Sequence, residues 1–103
     1  MDTQSLFSLA GRTALVTGGS RGIGKMIASG FVSQGAKVYI SSRKADMCEA
    51  VAAELGPNCI AVPQDISTVD GCKALAATMA EHESSIDILV NNAGAAWGES
   101  FET

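Results

Sequence analysis

Short apolar runs rich in β-branched residues alternate along the chain with longer segments whose apolar positions recur every three or four residues. The runs predict four strands, at residues 14–16, 37–41, 59–62 and 86–90. The longer segments predict three helices, at about 22–34, at about 45–55 and a third that is capped by residue 67 and includes residues 69–79. This alternation is typical of an α/β protein with a doubly wound parallel sheet. Right-handed crossovers then give the strand order 3-2-1-4.

Helical spacing also predicts which side chains face the sheet. In chain order these are Ile23, Ile27, Phe31, Cys48, Val51, Ala52, Leu55, Val69, Cys72, Leu75, Ala76 and Met79. Gly35 is expected to end the first helix, and Ser67 with Asp70 to open the third as a capping box. The fourth strand, nearly continuous in apolar residues, is expected to be covered on both faces.

Composition narrows the class of protein. With 103 residues, 47% hydrophobic and 17% charged, the chain fits one soluble globular unit. Its net charge of -4 argues against nucleic acid or anionic lipid as partners. We find neither a transmembrane-length apolar run nor a signal leader, so a cytoplasmic location is expected. Cys48, Cys59 and Cys72 form no CxxC pair and predict reduced thiols without a metal, and His82 is expected at an exposed helix end.

A glycine-rich stretch, "TGGSRGIG" at residues 17–24, lies where the first strand passes into the first helix. Free N–H groups and the positive end of the helix dipole favour an anion such as a pyrophosphate there. Gly18 permits the sharp exit, Gly22 lets the backbone approach the phosphates, and Gly24 allows close helix–strand contact. The alternative is that these glycines serve only a tight turn.

Together with "NNAG" at residues 91–94, directly after the fourth strand, this stretch resembles the short-chain dehydrogenases/reductases. The resemblance runs from about residue 9 to 94 and in detail is to 3-oxoacyl-acyl-carrier-protein reductases, including the rhamnolipid-biosynthesis type. It implies that residues 1–103 are the N-terminal part of a single NAD(P)-binding Rossmann domain. The family uses a tyrosine, a lysine and a serine in hydride transfer to a ketone. Since no Y-x-x-x-K spacing exists and Tyr39 lies within a strand, no catalytic residue is assigned.

The end of the second strand bears on the choice of dinucleotide. An NAD-selective enzyme needs a carboxylate there for the ribose hydroxyls, whereas this chain has Ser42 and Arg43. The planar guanidinium of Arg43 can donate two hydrogen bonds to a 2′-phosphate, and Arg21 can approach the same phosphate from the glycine loop. The alternative is that Arg43 is an ordinary solvated residue. We therefore expect NADP(H) rather than NAD.

The family resemblance supplies the remaining contacts. It gives Asp65 and Ile66 to the adenine and Asn92, Ala93 and Gly94 to the ribose side, while Asn91 braces the sheet edge. Asp65 could instead be a plain turn residue. The complete set of expected cofactor contacts is Gly18, Ser20, Arg21, Gly22, Ile23, Gly24, Ser42, Arg43, Asp65, Ile66, Asn92, Ala93 and Gly94. Trp97 receives no role.

Two functions follow as expectations. The first is an NADP-dependent carbonyl reductase of 3-oxoacyl or acyl-thioester substrates, homo-oligomeric when complete, of which these residues are the dinucleotide-binding half. The second is a non-catalytic nucleotide-binding or subunit-interaction module, since an unpaired fourth strand offers an edge for association.

Overall fold

The computed structural model describes residues 8–18 and 22–92, which form a four-stranded parallel sheet with three helices. The elements in chain order are β1 (Thr13–Thr17), α1 (Gly22–Ser33), β2 (Lys37–Ser41), α2 (Ala45–Leu55), β3 (Cys59–Ala61), α3 (Val69–His82) and β4 (Ile88–Asn91). The sheet order is β3-β2-β1-β4, and every pairing is parallel. The predicted α/β alternation and the strand order 3-2-1-4 are confirmed.

One face of the sheet packs against α1 and α2. Alternate residues of β1 and β2 point to this side, because successive side chains of a strand face opposite ways. The buried cluster consists of Ala14, Val16, Ala28, Ala36, Val38, Ile40, Cys48, Val51, Ala52 and Cys59. The predicted inner face of α2 is thus confirmed, and Cys48 and Cys59 act as small apolar residues. Burial raises the pKa of the Cys59 thiol to about 11.

The opposite face packs against α3 through a smaller buried cluster. Its members are Leu15, Tyr39, Val62, Leu75 and Met79. The predicted inward positions of α3 are partly wrong: Val69 is 71% exposed and Ala76 is exposed. The helix therefore contacts the sheet with a narrow stripe. His82, its last residue, is exposed as expected.

In α1 the predicted stripe is shifted. Gly24 and Ala28 are the buried residues, Ile27 and Phe31 are half-buried, and Ile23 is 64% exposed. The two small residues face the sheet because the helix approaches β1 closely at Gly24. Gly35 follows the helix with φ +95°, as its predicted role requires.

Two further predictions need correction. The N-cap of α3 is Thr68, whose hydroxyl accepts the Gly71 N–H at 3.0 Å, and not Ser67, which hydrogen-bonds to Asp65 instead. β4 begins at Ile88, two residues later than predicted, and the described part of the chain does not cover both of its faces. Leu89 is 67% exposed, because α3 lies over β1 and β2 rather than over β4.

Candidate functional site

The carboxyl ends of β1, β2 and β4 meet at one edge of the sheet. Thr17, the last residue of β1, pairs with Ser41 on one side and with Asn91 on the other. Its buried hydroxyl lies 3.1 Å from Oδ1 of Asn91 and accepts the Asn92 N–H at 3.1 Å. Asn91 thus braces the edge, as expected. Sequence reasoning missed Thr17, although its place at the end of an apolar run was a usable signal.

The exit from β1 depends on glycine for two distinct reasons. Gly18 and Gly22 have φ of +70° and +60°, a region that residues with a Cβ rarely adopt. Gly24 has no such conformation, but a Cβ on it would overlap the Gly18 carbonyl oxygen and lie 2.9 Å from Nδ2 of Asn92. The predicted close contact between helix and strand is therefore present.

The first turn of α1 provides the electrostatics of this edge. The first N–H groups of a helix have no acceptor within the helix and carry the positive end of its dipole. No acidic residue lies in the first turn of α1. A Cβ on Gly22 would meet no described atom within 4 Å. The described residues therefore leave space beside Gly22 for a bound group, and the N–H groups of this turn favour an anion.

The exit from β2 is polar, and residues 42–45 contain no carboxylate. Gly18 donates its N–H to the Ser41 carbonyl at 2.7 Å, which joins this exit to that of β1. Ser42 is half-buried, with its hydroxyl 3.3 Å from the Lys44 carbonyl, and Arg43 is exposed. The guanidinium of Arg43 is thus available at the edge.

The segment after β3 lies beside the β2 exit, since Gln64 donates its N–H to the Ser42 carbonyl at 2.9 Å. Oδ1 of Asp65 accepts the N–H of Ser67 at 2.9 Å and its hydroxyl at 2.6 Å. These bonds, and then the nearby charge of Arg43, lower the pKa of Asp65. The turn interpretation of Asp65 is confirmed, and its adenine contact stays a prediction.

Nine of the thirteen expected cofactor contacts are described, and all nine follow strand ends at this edge or begin α1. They are Gly18, Gly22, Ile23, Gly24, Ser42, Arg43, Asp65, Ile66 and Asn92. The other four, together with Trp97, lie outside the described residues. They are Ser20, Arg21, Ala93 and Gly94.

The side chain of Tyr39 is part of the core of the fold and lies away from the candidate site. It is buried in β2, and its hydroxyl donates to Oε2 of Glu83 at 2.6 Å. Burial first, and then the bond to Glu83, raises its pKa. Among residues 8–18 and 22–92, no cluster of three or more His, Cys, Asp or Glu side chains could hold a metal ion. None of the helices in the described part of the chain is long and apolar enough to span a membrane.

Comparison with known proteins decides the family. A family model described as short chain dehydrogenase matches residues 12–103. The chain belongs to this family. The resemblance carried by the glycine loop and the "NNAG" stretch is thus confirmed.

Among curated relatives, the chain is 50% identical over 99 residues to the rhamnolipids biosynthesis 3-oxoacyl-[acyl-carrier-protein] reductase of Pseudomonas aeruginosa. That alignment covers 94% of the chain and 39% of the relative. The chain is also 41% identical over 85 residues to the sorbitol dehydrogenase of Cereibacter sphaeroides, an alignment that covers 82% of the chain and 33% of that relative. The chain therefore spans about two-fifths or less of these relatives.

Solved structures agree with the fold. RhlG of Pseudomonas aeruginosa, in an active-site complex with NADP, superposes with a TM-score of 0.84 at 52% identity, over 86% of this chain and 36% of RhlG. A hydroxysteroid dehydrogenase from Escherichia coli superposes with a TM-score of 0.80 at 38% identity, over 91% and 41%. The sheet and helices described above are thus the Rossmann-type arrangement expected from the sequence.

Proposed function

We propose that residues 1–103 form the N-terminal, dinucleotide-binding part of an NADP-dependent carbonyl reductase that acts on 3-oxoacyl substrates. The observation that carries the proposal is at the exit from β1, where Gly24 in the first turn of α1 lies against the Gly18 carbonyl. The N–H groups of that first turn have no acceptor within the helix and favour a pyrophosphate beside Gly22. The 3-oxoacyl substrate class is taken from the Pseudomonas relative's name.

In this proposal each strand end binds one part of the coenzyme. The loop from Gly18 to Gly24 holds the pyrophosphate, Asp65 and Ile66 bind the adenine, and Asn92 with residues 93–94 binds the ribose on the nicotinamide side. The bound coenzyme supplies the hydride. No residue of the chain is proposed as the proton donor, because the sequence contains no Tyr-x-x-x-Lys pair.

The preference for NADP rests on the end of β2. Ser42 and exposed Arg43 occupy the place where a carboxylate would accept the ribose hydroxyls of NAD. A guanidinium binds phosphate through two parallel N–H donors, whereas a carboxylate would repel it. That RhlG is described as an NADP complex supports the same choice.

The test uses Arg43→Ala in the protein expressed from its complete coding sequence. We expect NADPH affinity, measured by calorimetry, to fall about 10- to 100-fold, as for loss of a hydrogen bond between charged groups. NADH affinity should change by less than about twofold, since NADH lacks the 2′-phosphate.

Arg12→Ala is the matched control. Arg12 is an exposed arginine that precedes β1, at the amino-terminal end of the strands, and its Nη1 lies 3.8 Å from Oδ1 of Asp87. It should leave both affinities unchanged. Equal losses for NADPH and NADH in Arg43→Ala would contradict the coenzyme choice, and absence of binding to either would contradict the proposed function.

A further inference from the structure

The first turn of α3 contacts the backbone of the segment proposed to bind adenine. A Cβ on Gly71 would overlap the carbonyl oxygen of Asp65 and lie 3.1 Å from Oγ1 of Thr68. One residue on, the thiol of Cys72 donates to the carbonyl of Ile66 at 3.3 Å. Both residues of the proposed adenine contact are thus held by consecutive residues of one helix.

Backbone conformation does not explain the glycine at position 71. Gly71 is not among the described glycines with positive φ, and it is buried in a helix, where Ala has the higher intrinsic propensity. Close approach to Asp65 is the physical reason that the structure provides. The same turn is fixed by Thr68, which caps it through the Gly71 N–H.

We infer that Gly71 is a positioning residue for the adenosine end of the dinucleotide site. The inference rests on the proposed function, in which the Asp65 carboxylate accepts a hydrogen bond from the adenine amino group. Because Oδ1 of Asp65 is engaged by Ser67, the direction of the carboxylate follows the backbone of this turn. Any side chain at position 71 must displace the Asp65 carbonyl, and the carboxylate moves with it.

The test compares Gly71→Ala with wild type in the protein expressed from its complete coding sequence. The ligands are NADPH and the analogue of NADPH that carries hypoxanthine in place of adenine, so that an oxygen replaces the adenine amino group. Wild type should prefer NADPH by about tenfold, the net worth of one hydrogen bond to a charged group. Gly71→Ala should bind NADPH more weakly and reduce that preference to about twofold or less.

Gly30→Ala is the matched control, since Gly30 is an exposed helical glycine in α1 whose added Cβ would meet no described atom within 4 Å. It should keep the wild-type preference. Loss of stability alone would weaken both ligands together, so the ratio of the two affinities separates positioning from folding.

Each outcome has a separate meaning. If wild type binds neither ligand, the proposed function fails. If wild type binds NADPH without preferring it over the analogue, or if folded Gly71→Ala keeps the preference, the inference on Gly71 is overturned and the proposed function stands. Should Gly71→Ala not fold, Thr68→Val decides. It removes the hydroxyl that accepts the Gly71 N–H and so releases Gly71 from its place against Asp65 without adding a side chain there, and an undiminished preference in that variant overturns the inference.

Discussion

At the scale of single residues, the candidate site depends on glycines, which have no side chain. The backbone φ of +60° favours glycine at position 22, although a Cβ there would meet no described atom within 4 Å. Gly24 has an ordinary helical conformation but no space, since the Gly18 carbonyl lies against it. The first requirement is a modest conformational cost, whereas the second is an overlap with backbone that only a movement of α1 can relieve.

We therefore expect Gly24→Ala to destabilise the protein more than Gly22→Ala. Overpacking costs about 1–3 kcal/mol or more, whereas a Cβ in the left-handed region costs about 1–2 kcal/mol. Urea unfolding measures both values, with Gly30→Ala as the helical control. If Gly24→Ala were as stable as Gly30→Ala, the close approach of α1 to β1 would be wrong.

At the scale of elements, a polar cluster of Lys37, Tyr39 and Glu83 joins the end of α3 to β2. Oε2 of Glu83, the C-cap of α3, lies 2.6 Å from the Tyr39 hydroxyl and 2.7 Å from Nζ of Lys37. The bond to Lys37 first, and then that to Tyr39, lowers the pKa of Glu83. The bond to Glu83 raises the pKa of Lys37.

These shifts give a pH dependence of stability with a definite sign. A lowered Glu83 pKa stabilises the fold above its ordinary value of 4.5, and this contribution is lost as the pH falls through the folded-state pKa. A raised Lys37 pKa stabilises below 10.5 and is lost as the pH rises past the folded-state value. Thermal unfolding of Glu83→Gln should therefore differ most from wild type between these limits, with the gap closing in acid.

Tyr39→Phe is the matched variant for that experiment. It removes one hydrogen bond, worth about 1 kcal/mol, and keeps the ion pair between Lys37 and Glu83. Its stability should still fall in acid, because the bond to Lys37 remains, but by less than in wild type, because the bond to Tyr39 that also lowers the Glu83 pKa is lost. A Glu83→Gln profile that stays parallel to wild type from pH 7 into acid would show that the carboxylate contributes no charge-dependent stability.

The sequence was sufficient for the order of elements but not for what covers them. Alternation of strands and helices, with right-handed crossovers, restricts the sheet to few arrangements. Exposure of Ile23, Val69 and Leu89 depends on where each helix sits, which periodicity alone does not determine. The cap of α3 was misplaced by one residue because Asp65 competes for Ser67. The need for glycine at positions 18, 22 and 24 could be predicted from the sequence, because it depends on residues that are close along the chain.

At the scale of the whole molecule, the two faces of the sheet are unequally covered. Beside β4, on the α3 side, lies an open groove of about 800 Å³ whose apolar lining includes Leu15, Leu75, Met79 and Leu89. Leu75 is buried in the adjoining cluster, whereas Leu89 is 67% exposed. The same residue type therefore occupies two environments on one face.

Truncating each leucine measures that difference directly. In the 103-residue chain, Leu75→Ala should cost about 2–5 kcal/mol of unfolding free energy, because it removes buried methyl groups and leaves a cavity. Leu89→Ala should cost less than about 1 kcal/mol, since most of its side chain already meets water in the described structure. Urea unfolding gives both values. A Leu89→Ala loss as large as that of Leu75→Ala would show that this face of β4 is covered in solution, and the groove would then be part of a core rather than a surface.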